Sequence, residues 1–260
     1  MFVKELRIMS ERVLWTENLC KYFGGLVAVN NVSISVREKS ITMLIGPNGA
    51  GKTTFVNLCT GVLKPDSGKI YFLGKDITGW PSHRIYREGF VRTFQIPSPF
   101  LKLTVLENVL ASLKSDAENP LKAPLRKIWI KDEEENIEKA FKILSRVGLE
   151  DLWYYEAFRL GGAQLKMLEV ARALATGAKL IALDEPIGGV DPAYAGDILG
   201  YIRNIKNTMN VSFLLIEHRV DIALPYADYV YVMDRGKVIF EGTPPEVEKN
   251  PKVIEVYLGG

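Results

Sequence analysis

Hydrophobic and polar positions are arranged in two different ways along this chain, and they divide it into three stretches. The first stretch contains short β-type segments, among them SITMLIG (40–46), a continuous apolar run that ends at a glycine. Such a run is typical of a strand buried on both faces. A helix, GKTTFVNLCTG, is predicted to end at Gly61, and GKIYFLGKDI predicts another strand. After Gly177 the β-type segments return in AKLIALDEP, VSFLLIEH and DYVYVMDRGKVIFEG.

The middle stretch, from about residue 80 to 176, has a helical pattern. Thr104 and Glu107 have the spacing of a capping box in front of VLENVLASLK. Two prolines in residues 115–128 predict a loop or insertion there. The segment KDEEENIEKAFKILSRVG (131–148) predicts a helix with its acidic residues in the first turn and its end at Gly148. Its apolar positions share one face: Ile137, Phe141, Leu144 and Val147.

Strands that alternate with helices on both sides of a helical block predict an α/β fold with a mainly parallel sheet. We interpret residues 1–260 as one domain. Residues 13–80 and 177–260 form its α/β core with an N-terminal antiparallel β subdomain. Residues from about 80 to 176 form an inserted α-helical subdomain.

Composition mainly excludes some partners, metal sites and targeting segments. The chain has 260 residues, 47% apolar and 25% charged, which is ordinary for a soluble globular protein with a sizeable core. The net charge is only +2 and the basic residues are scattered, so no nucleic-acid partner is predicted. Cys20 and Cys59 indicate a reduced compartment rather than a disulfide framework, and with two histidines a zinc cluster is not expected. No apolar run reaches the roughly 20 residues that cross a bilayer, and charges interrupt the N-terminus, so neither a membrane span nor a signal peptide is expected.

The segment GPNGAGKTT (46–54) fits the spacing G-x-x-x-x-G-K-[ST] between a strand and a helix, which is the context that this phosphate-binding motif requires. Its glycines let backbone N–H groups turn towards a polyphosphate, and the helix N-terminus adds positive potential. Lys52 is expected to contact the β- and γ-phosphates, and Thr53 to ligate Mg²⁺. The alternative is a glycine-rich turn with a chance lysine. The candidate nucleotide-binding residues are Gly46, Pro47, Asn48, Gly49, Ala50, Gly51, Lys52, Thr53 and Thr54.

A second candidate element is KLIALDEP (179–186), an apolar strand that ends in two carboxylates. Asp184 is placed to hold the water shell of Mg²⁺ beside the phosphates. Glu185 is placed to act as general base on a water aimed at the γ-phosphate. An acidic turn that caps the next helix is the plain alternative, and many phosphoryl-transfer enzymes share both motifs.

Together with other elements in order, these motifs resemble the nucleotide-binding subunit of ABC transporters over nearly the whole chain, from about Val13. The resemblance implies a P-loop NTPase (RecA-like) core, ATP and Mg²⁺ as cofactors, and ATP hydrolysis. RTFQ implies that Gln95 reaches Mg²⁺ and the attacking water, LLIEHR that His218 touches the γ-phosphate, and GGVDP that Asp191 faces a partner subunit. KYFGG implies that Phe23 stacks on adenine, with Tyr22 as a nearby rival. Considered one at a time, Gln95 could instead be a surface residue and His218 a residue at a strand end. Asp191 could merely start a helix, and Phe23 could belong to the core.

The family signature L-S-G-G-Q corresponds here to LGGAQ: Leu160, Gly161, Gly162, Ala163 and Gln164. The resemblance implies that this signature covers ATP bound to a second subunit. Glycine at 161 lacks the signature hydroxyl, and a hydrogen bond to a charged group contributes about 1.5–3 kcal/mol. Since the backbone N–H groups and the helix N-terminus remain, we predict a working but slower signature.

Segments such as KYFGGLVAVNNVS, VRTFQIPSPF and VIEVYLG resemble the importer subunits for branched-chain amino acids. The implied partners are a second ATPase subunit, identical or different, membrane permease subunits and, indirectly, a substrate-binding protein, at the cytoplasmic face of the membrane. IPSPFLKL, after Gln95, is expected to receive a short helix of the permease or to pack internally. The alternatives are a related system for urea, amides or lipopolysaccharide, an ABC ATPase outside transport, or a small-molecule kinase.

Overall fold

The computed structural model of the chain describes residues 11–113 and 126–258. The strands are β1 Arg12–Phe23, β2 Leu26–Val32, β3 Ser35–Arg37, β4 Ile41–Ile45, β5 Ser67–Phe72, β6 Lys75–Asp76, β7 Phe90–Arg92, β8 Leu180–Asp184, β9 Ser212–Glu217, β10 Tyr229–Asp234 and β11 Lys237–Gly242. The helices are α1 Lys52–Cys59, α2 Ser82–Glu88, α3 Val105–Leu110, α4 Arg126–Arg146, α5 Gly162–Ala175, α6 Pro192–Thr208, α7 Val220–Ala223, α8 Pro244–Glu248 and α9 Pro251–Leu258.

A mainly parallel sheet carries the candidate chemistry. Its order is β11-β10-β4-β9-β8-β7, and only the edge strand β11 pairs antiparallel with its neighbour. Every residue of β4, β8 and β9 is buried, as expected for central strands that read as continuous apolar runs. Because parallel strands end at the same edge, the segments that follow β4, β8 and β9 lie near one another. The predicted α/β class with a mainly parallel sheet is confirmed.

A second sheet is antiparallel throughout. Its order is β2-β1-β5-β6, and β3 also pairs with β1. Its buried side chains, such as Leu14 and Phe72, share one hydrophobic cluster with Leu44 of β4 and Phe55 of α1. This cluster holds the helix that follows the glycine-rich loop against both sheets.

The chain divides into two compact units. The first holds the described residues up to Gln95, Lys179–Gly188 and those from Lys206 onward, and it contains both sheets. The second holds the described residues of 96–178 together with Gly189–Ile205, and it contains α3, α4, α5 and most of α6. Within the second unit the chain leaves α4 through Gly148, whose φ is +69°. A Cβ there would lie 2.3 Å from Tyr201 Oη, so α4 ends closely packed on α6.

Three details differ from the pattern-based predictions. α4 begins at Arg126 rather than at Lys131, so no acidic residue lies in its first turn. Its buried face includes Asn136, whereas Ile137 is 36% exposed. β7 is a short parallel strand inside the stretch predicted to be helical. The loop predicted over 115–128 lies mostly outside the described residues, and its last three residues belong to α4.

Candidate nucleotide-binding site

The loop between β4 and α1 requires glycine at particular positions. Gly46, Gly49 and Gly51 have φ values of +153°, +80° and +99°. A Cβ at Gly46 would lie 2.1 Å from the carbonyl oxygen of Met233, and one at Gly51 would lie 2.3 Å from that of Ala28. The loop therefore packs closely against neighbouring backbone. It also adopts positive φ values that residues with a Cβ rarely adopt. α1 begins without a side-chain cap and without an acidic residue in its first turn, so its N-terminal N–H groups suit an anion.

Lys52, the first residue of α1, is folded over this loop. Its Nζ donates to the carbonyl oxygens of Gly46 and Pro47, at 2.7 and 3.0 Å. Burial lowers the pKa of Lys52, whereas the carboxylates of Glu185 and Asp184 act in the opposite direction. The lysine is thus a largely buried cation, held at the mouth of a loop whose backbone amides are suited to phosphate.

A groove of about 550 Å³ opens on the same loop. Its walls come from the end of β1, from β2, from the loop with the start of α1, and from the ends of β8 and β9: Phe23, Leu26, Val27, Ala28, Asn48, Gly49, Ala50, Gly51, Lys52, Thr53, Thr54, Glu185, Ile216 and Arg235. Phe23 is 46% exposed, which excludes its interpretation as a core residue. Tyr22 is exposed to a similar extent but does not line the groove.

Three of the predicted catalytic residues meet at the edge of the parallel sheet. Gln95 Nε2 donates to Glu185 Oε2 at 2.6 Å, and His218 Nδ1 lies 3.5 Å from Glu185 Oε1. Glu185 has a φ of +51°, uncommon for a side chain with a Cβ. Its N–H donates to the carbonyl oxygen of Ile216 in β9, at 2.9 Å, which fixes the turn. The sequence placed these residues far apart, and the parallel sheet joins them.

Asp184 has a partner that the sequence analysis did not identify. Arg92 Nη2 donates to Asp184 Oδ2 at 2.6 Å, and both side chains are about nine-tenths buried. Arg92 also donates to the side-chain oxygen of Asn57 in α1. A buried carboxylate needs such compensation. The arginine is visible in the sequence as part of RTFQ, but only the parallel pairing of β7 with β8 shows that it meets Asp184.

Glu217 is a second residue that the sequence analysis missed. Its carboxylate is fully buried and accepts from the N–H of Ile187 at 3.0 Å and that of His218 at 3.3 Å. Burial raises the pKa of Glu217. One carboxylate therefore joins the segment after Glu185 to the start of the segment that carries His218. A glutamate ending the otherwise apolar strand SFLLIE was the signal that could have revealed it.

The signature residues belong to the second unit. Gly161 is the N-cap of α5, with a φ of −71° and a ψ of 165°, and its N–H donates to Gln164 Oε1 at 2.9 Å. Leu160 is buried, Gly161 and Gly162 are exposed, and Ala163 and Gln164 are half-buried. A serine at 161 would supply the hydroxyl for the other half of a capping box, and glycine cannot. Asp191, next to α6, accepts from the N–H of Ala193 at 2.9 Å and so begins that helix.

The described residues lack two features. None of the described helices combines the length and the apolar character that a membrane crossing requires. Within residues 11–113 and 126–258, no group of three or more histidine, cysteine or acidic side chains is placed to hold a metal ion.

Comparison with known proteins agrees with this geometry. Residues 29–188 match the family described as ABC transporter. The "Probable branched-chain amino acid transport ATP-binding protein LivG" of Archaeoglobus fulgidus is 51% identical over 248 residues, covering 95% of this chain and 96% of that protein. The "High-affinity branched-chain amino acid transport ATP-binding protein LivG" of Escherichia coli strain K12 is 36% identical, covering 96% of this chain and 99% of that protein.

Solved structures of ATP-binding cassettes are also similar to this chain. An ATP-binding cassette of an ABC transporter in its ADP conformation has a TM-score of 0.82 and 45% identity, covering 96% of this chain and 99% of that chain. A nucleotide-free cassette has a TM-score of 0.81 and 46% identity, covering 96% of this chain and 100% of that chain. The chain therefore belongs to the ABC transporter family. More particularly, it is an ATP-hydrolysing motor subunit of such a transporter, and residues 237–260 match the description "Branched-chain amino acid ATP-binding cassette transporter".

Proposed function

We propose that the groove above the loop of residues 46–54 binds ATP and that this chain uses its hydrolysis to drive uptake of branched-chain amino acids. The observation that carries the proposal is the glycine loop with Lys52 beside the cluster of Glu185, Gln95 and His218. The exposed ring of Phe23 at the wall of the groove suits stacking on a purine. Phe23 would thus contact the base of a nucleoside triphosphate, and the loop with Lys52 and the cluster would contact its phosphates.

The residues present also fit Mg²⁺. Thr53, Gln95 and Asp184, the last through water, offer hydroxyl, amide and carboxylate oxygens, the donors that Mg²⁺ prefers. Thr53 is exposed at the start of α1, and Asp184 is the last residue of β8. When bound, Mg²⁺ supplies charge neutralisation on the phosphate oxygens.

The chain's own residues carry the remaining chemistry. Glu185 accepts a proton from the attacking water, and its neighbours Gln95 and His218 orient that water and the γ-phosphate. Lys52 and the N–H groups at the start of α1 stabilise the charge on the phosphate oxygens. The buried Lys52 acts in a low dielectric, where its electrostatic effect is larger than in water.

The catalytic unit is a pair of chains. Leu160, Gly161, Gly162, Ala163 and Gln164 of one subunit cover the ATP on the other, and Asp191 faces the partner. Gly162 is exposed in the first turn of α5, where backbone N–H groups suit a phosphate, whereas the N–H of Gly161 donates to Gln164 Oε1. The second subunit is an identical or a related ATPase.

Substitution of the proposed base tests this scheme. Glu185→Gln should abolish ATP turnover and accumulate an ATP-dependent dimer, because ATP binds but the water loses its base. Turnover is measured by phosphate release and association by analytical ultracentrifugation. Glu150→Gln, an exposed glutamate in a short 3₁₀ turn of the second unit, is the matched control and should behave as wild type. Full turnover in Glu185→Gln would contradict the assignment.

An exposed apolar patch on the second unit supports docking of a permease helix. It consists of Ile96, Phe100, Leu101, Leu103, Trp153, Tyr154 and Phe158. The N–H of Phe158 donates to the Leu101 carbonyl, at 3.1 Å, so the two segments of the patch lie side by side. Exposed patches of this kind mark interaction sites, and they argue against internal packing of IPSPFLKL.

Charging the patch tests that assignment. Phe100, 51% exposed, stacks loosely on Arg172, with the guanidinium 4.9 Å from the ring centre. Phe100→Asp should abolish transport in proteoliposomes but leave ATP binding and the melting temperature unchanged. Tyr86→Asp, an exposed aromatic of the first unit, is the control that should transport normally. Loss of folding in Phe100→Asp would instead favour internal packing.

The relatives support the proposed cargo and location. Their names describe branched-chain amino acid transport, and residues 237–260 match the same class. We therefore place the chain at the cytoplasmic face of the membrane, held by permease subunits and served by a substrate-binding protein. Uptake of labelled leucine by the reconstituted complex tests the cargo. Transport of urea, amides or lipopolysaccharide without leucine uptake would contradict it.

A further inference from the structure

A polar cavity of about 330 Å³ lies in the first unit, at the end of the parallel sheet opposite to the nucleotide loop. The glycine loop follows the carboxyl end of β4, whereas this cavity is lined by Ser40 and Thr42 at the amino end of the same strand. β10 contributes Tyr229 and Tyr231. The volume is in the lower range of small-molecule sites. None of the proposed ATP chemistry uses it.

The inner wall of the cavity contains polar groups. Thr42, which is 1% exposed, lies on this wall. The neighbouring groups are already satisfied. Ser40 Oγ donates to the Arg37 carbonyl at 2.8 Å, and Tyr231 Oη accepts from the N–H of Ser35 at 3.1 Å. A wall with polar groups of this kind suits a ligand that forms hydrogen bonds.

Charges of both signs surround this wall. Arg12 and Arg37 are directly opposite each other in the β1–β3 pairing, a position at which like charges repel. Neither forms an ion pair within the described residues, although the guanidinium of Arg37 lies 5.8 Å from the ring centre of Tyr229. Glu11 and Glu241 also line the cavity, again without an ion pair to a described residue.

The remaining acid of the cavity is already compensated. Asp228 accepts from the N–H of Ile41 at 2.7 Å and pairs with Lys206 at 3.3 Å. The groups left for a ligand are therefore two guanidinium cations and two carboxylates. This balance disfavours a simple anion or cation and favours a molecule that carries both charges.

We propose that this cavity binds a small zwitterion of the free α-amino acid class. The ligand carboxylate pairs with Arg12 and Arg37, its ammonium group pairs with Glu11 and Glu241, and Thr42 completes the polar contacts. The site is separate from the ATP groove and does not depend on hydrolysis. It is a second ligand site in the first unit of the chain.

Calorimetry on the full chain without nucleotide tests the proposal. The probes are alanine and leucine, each beside the amine that lacks its carboxylate and the acid that lacks its amine. At least one zwitterion should bind, and its two single-charge analogues should bind about 10- to 100-fold more weakly, since each loses a charge-assisted hydrogen bond. No binding of either amino acid at millimolar concentration, or equal binding of an analogue, would overturn the proposal.

Variants locate the binding. Arg37→Gln and Glu241→Gln should each weaken the zwitterion about 10- to 100-fold. Arg87→Gln, an exposed arginine of α2 outside the cavity, should leave it unchanged. Thermal melting checks folding. If Arg37→Gln does not fold, Glu241→Gln on the edge strand β11 decides, and unchanged affinity there would overturn the proposal. Because ATP is absent, the outcome is independent of the proposed transport function.

Discussion

Gly161→Ser would restore a hydroxyl at the start of α5, and the structure shows that it fits. An ideal Cβ at Gly161 has only Gln164 Oε1 within 4 Å, at 3.7 Å. The backbone there is extended, so a side chain introduces no strain. The hydroxyl has two uses. It can cap α5 within its own chain, or it can face ATP on a partner subunit.

The two uses differ in the free energy that they contribute and in the measured property that they change. Capping by serine instead of glycine stabilises a helix by only a few tenths of a kcal/mol. A hydrogen bond to a charged phosphate contributes about 1.5–3 kcal/mol, which strengthens ATP-dependent association about 10- to 100-fold. The first effect raises the melting temperature slightly, and the second leaves it unchanged.

The assay compares Gly161→Ser with Gly161→Ala, which adds the Cβ without the hydroxyl. Both changes are made in a Glu185→Gln background, so that ATP is not consumed. Sedimentation at a series of ATP concentrations gives the dimerisation constant, and thermal melting gives the stability. We expect the serine variant alone to associate more tightly. Equal association of the two variants, or a gain confined to the melting temperature, would refute the reasoning.

Two further substitutions test contacts that fix the site and the patch. Burial raises the pKa of Glu217, so the folded state holds this proton more strongly than the unfolded chain, and wild-type stability falls as pH rises above the ordinary value of 4.5. Glu217→Gln should therefore gain stability relative to wild type from acidic to neutral pH in melting experiments, and a constant difference would contradict this. Asn108, fully buried, accepts from the N–H of Phe100 at 2.8 Å and donates to its carbonyl at 3.0 Å. Asn108→Ala should cost at least about 1–3 kcal/mol in urea unfolding, and an unchanged midpoint would exclude an anchoring role.

The sequence predicted what depends on local pattern. The apolar run before Gly46 and the run before Asp184 are buried parallel strands, and Thr104 with Glu107 forms the capping box. β7 was missed because three residues carry too little periodicity to distinguish a strand from its helical surroundings. Only the neighbouring β8 makes Phe90–Arg92 a strand.

The candidate site was predicted as residues but not as contacts. Gln95, Glu185 and His218 each belong to a motif that the sequence shows, and these residues are close together in the structure. The ion pair between Arg92 and Asp184, in contrast, depends on which strands are neighbours. Asn136 shows the same limit in the second unit. A buried amide on a helix face contradicts apolar periodicity, and only tertiary packing explains it.

The ion pair between Arg92 and Asp184 has a consequence for the order in which ligands arrive. Because the chain itself supplies the counter-ion of this carboxylate, a free divalent ion would meet an aspartate whose charge is already compensated. If Mg²⁺ binds as we propose, the triphosphate supplies the additional negative charge that attracts it. We therefore expect the metal to enter as a complex with its nucleotide. Raising the magnesium concentration without nucleotide should then not activate the subunit.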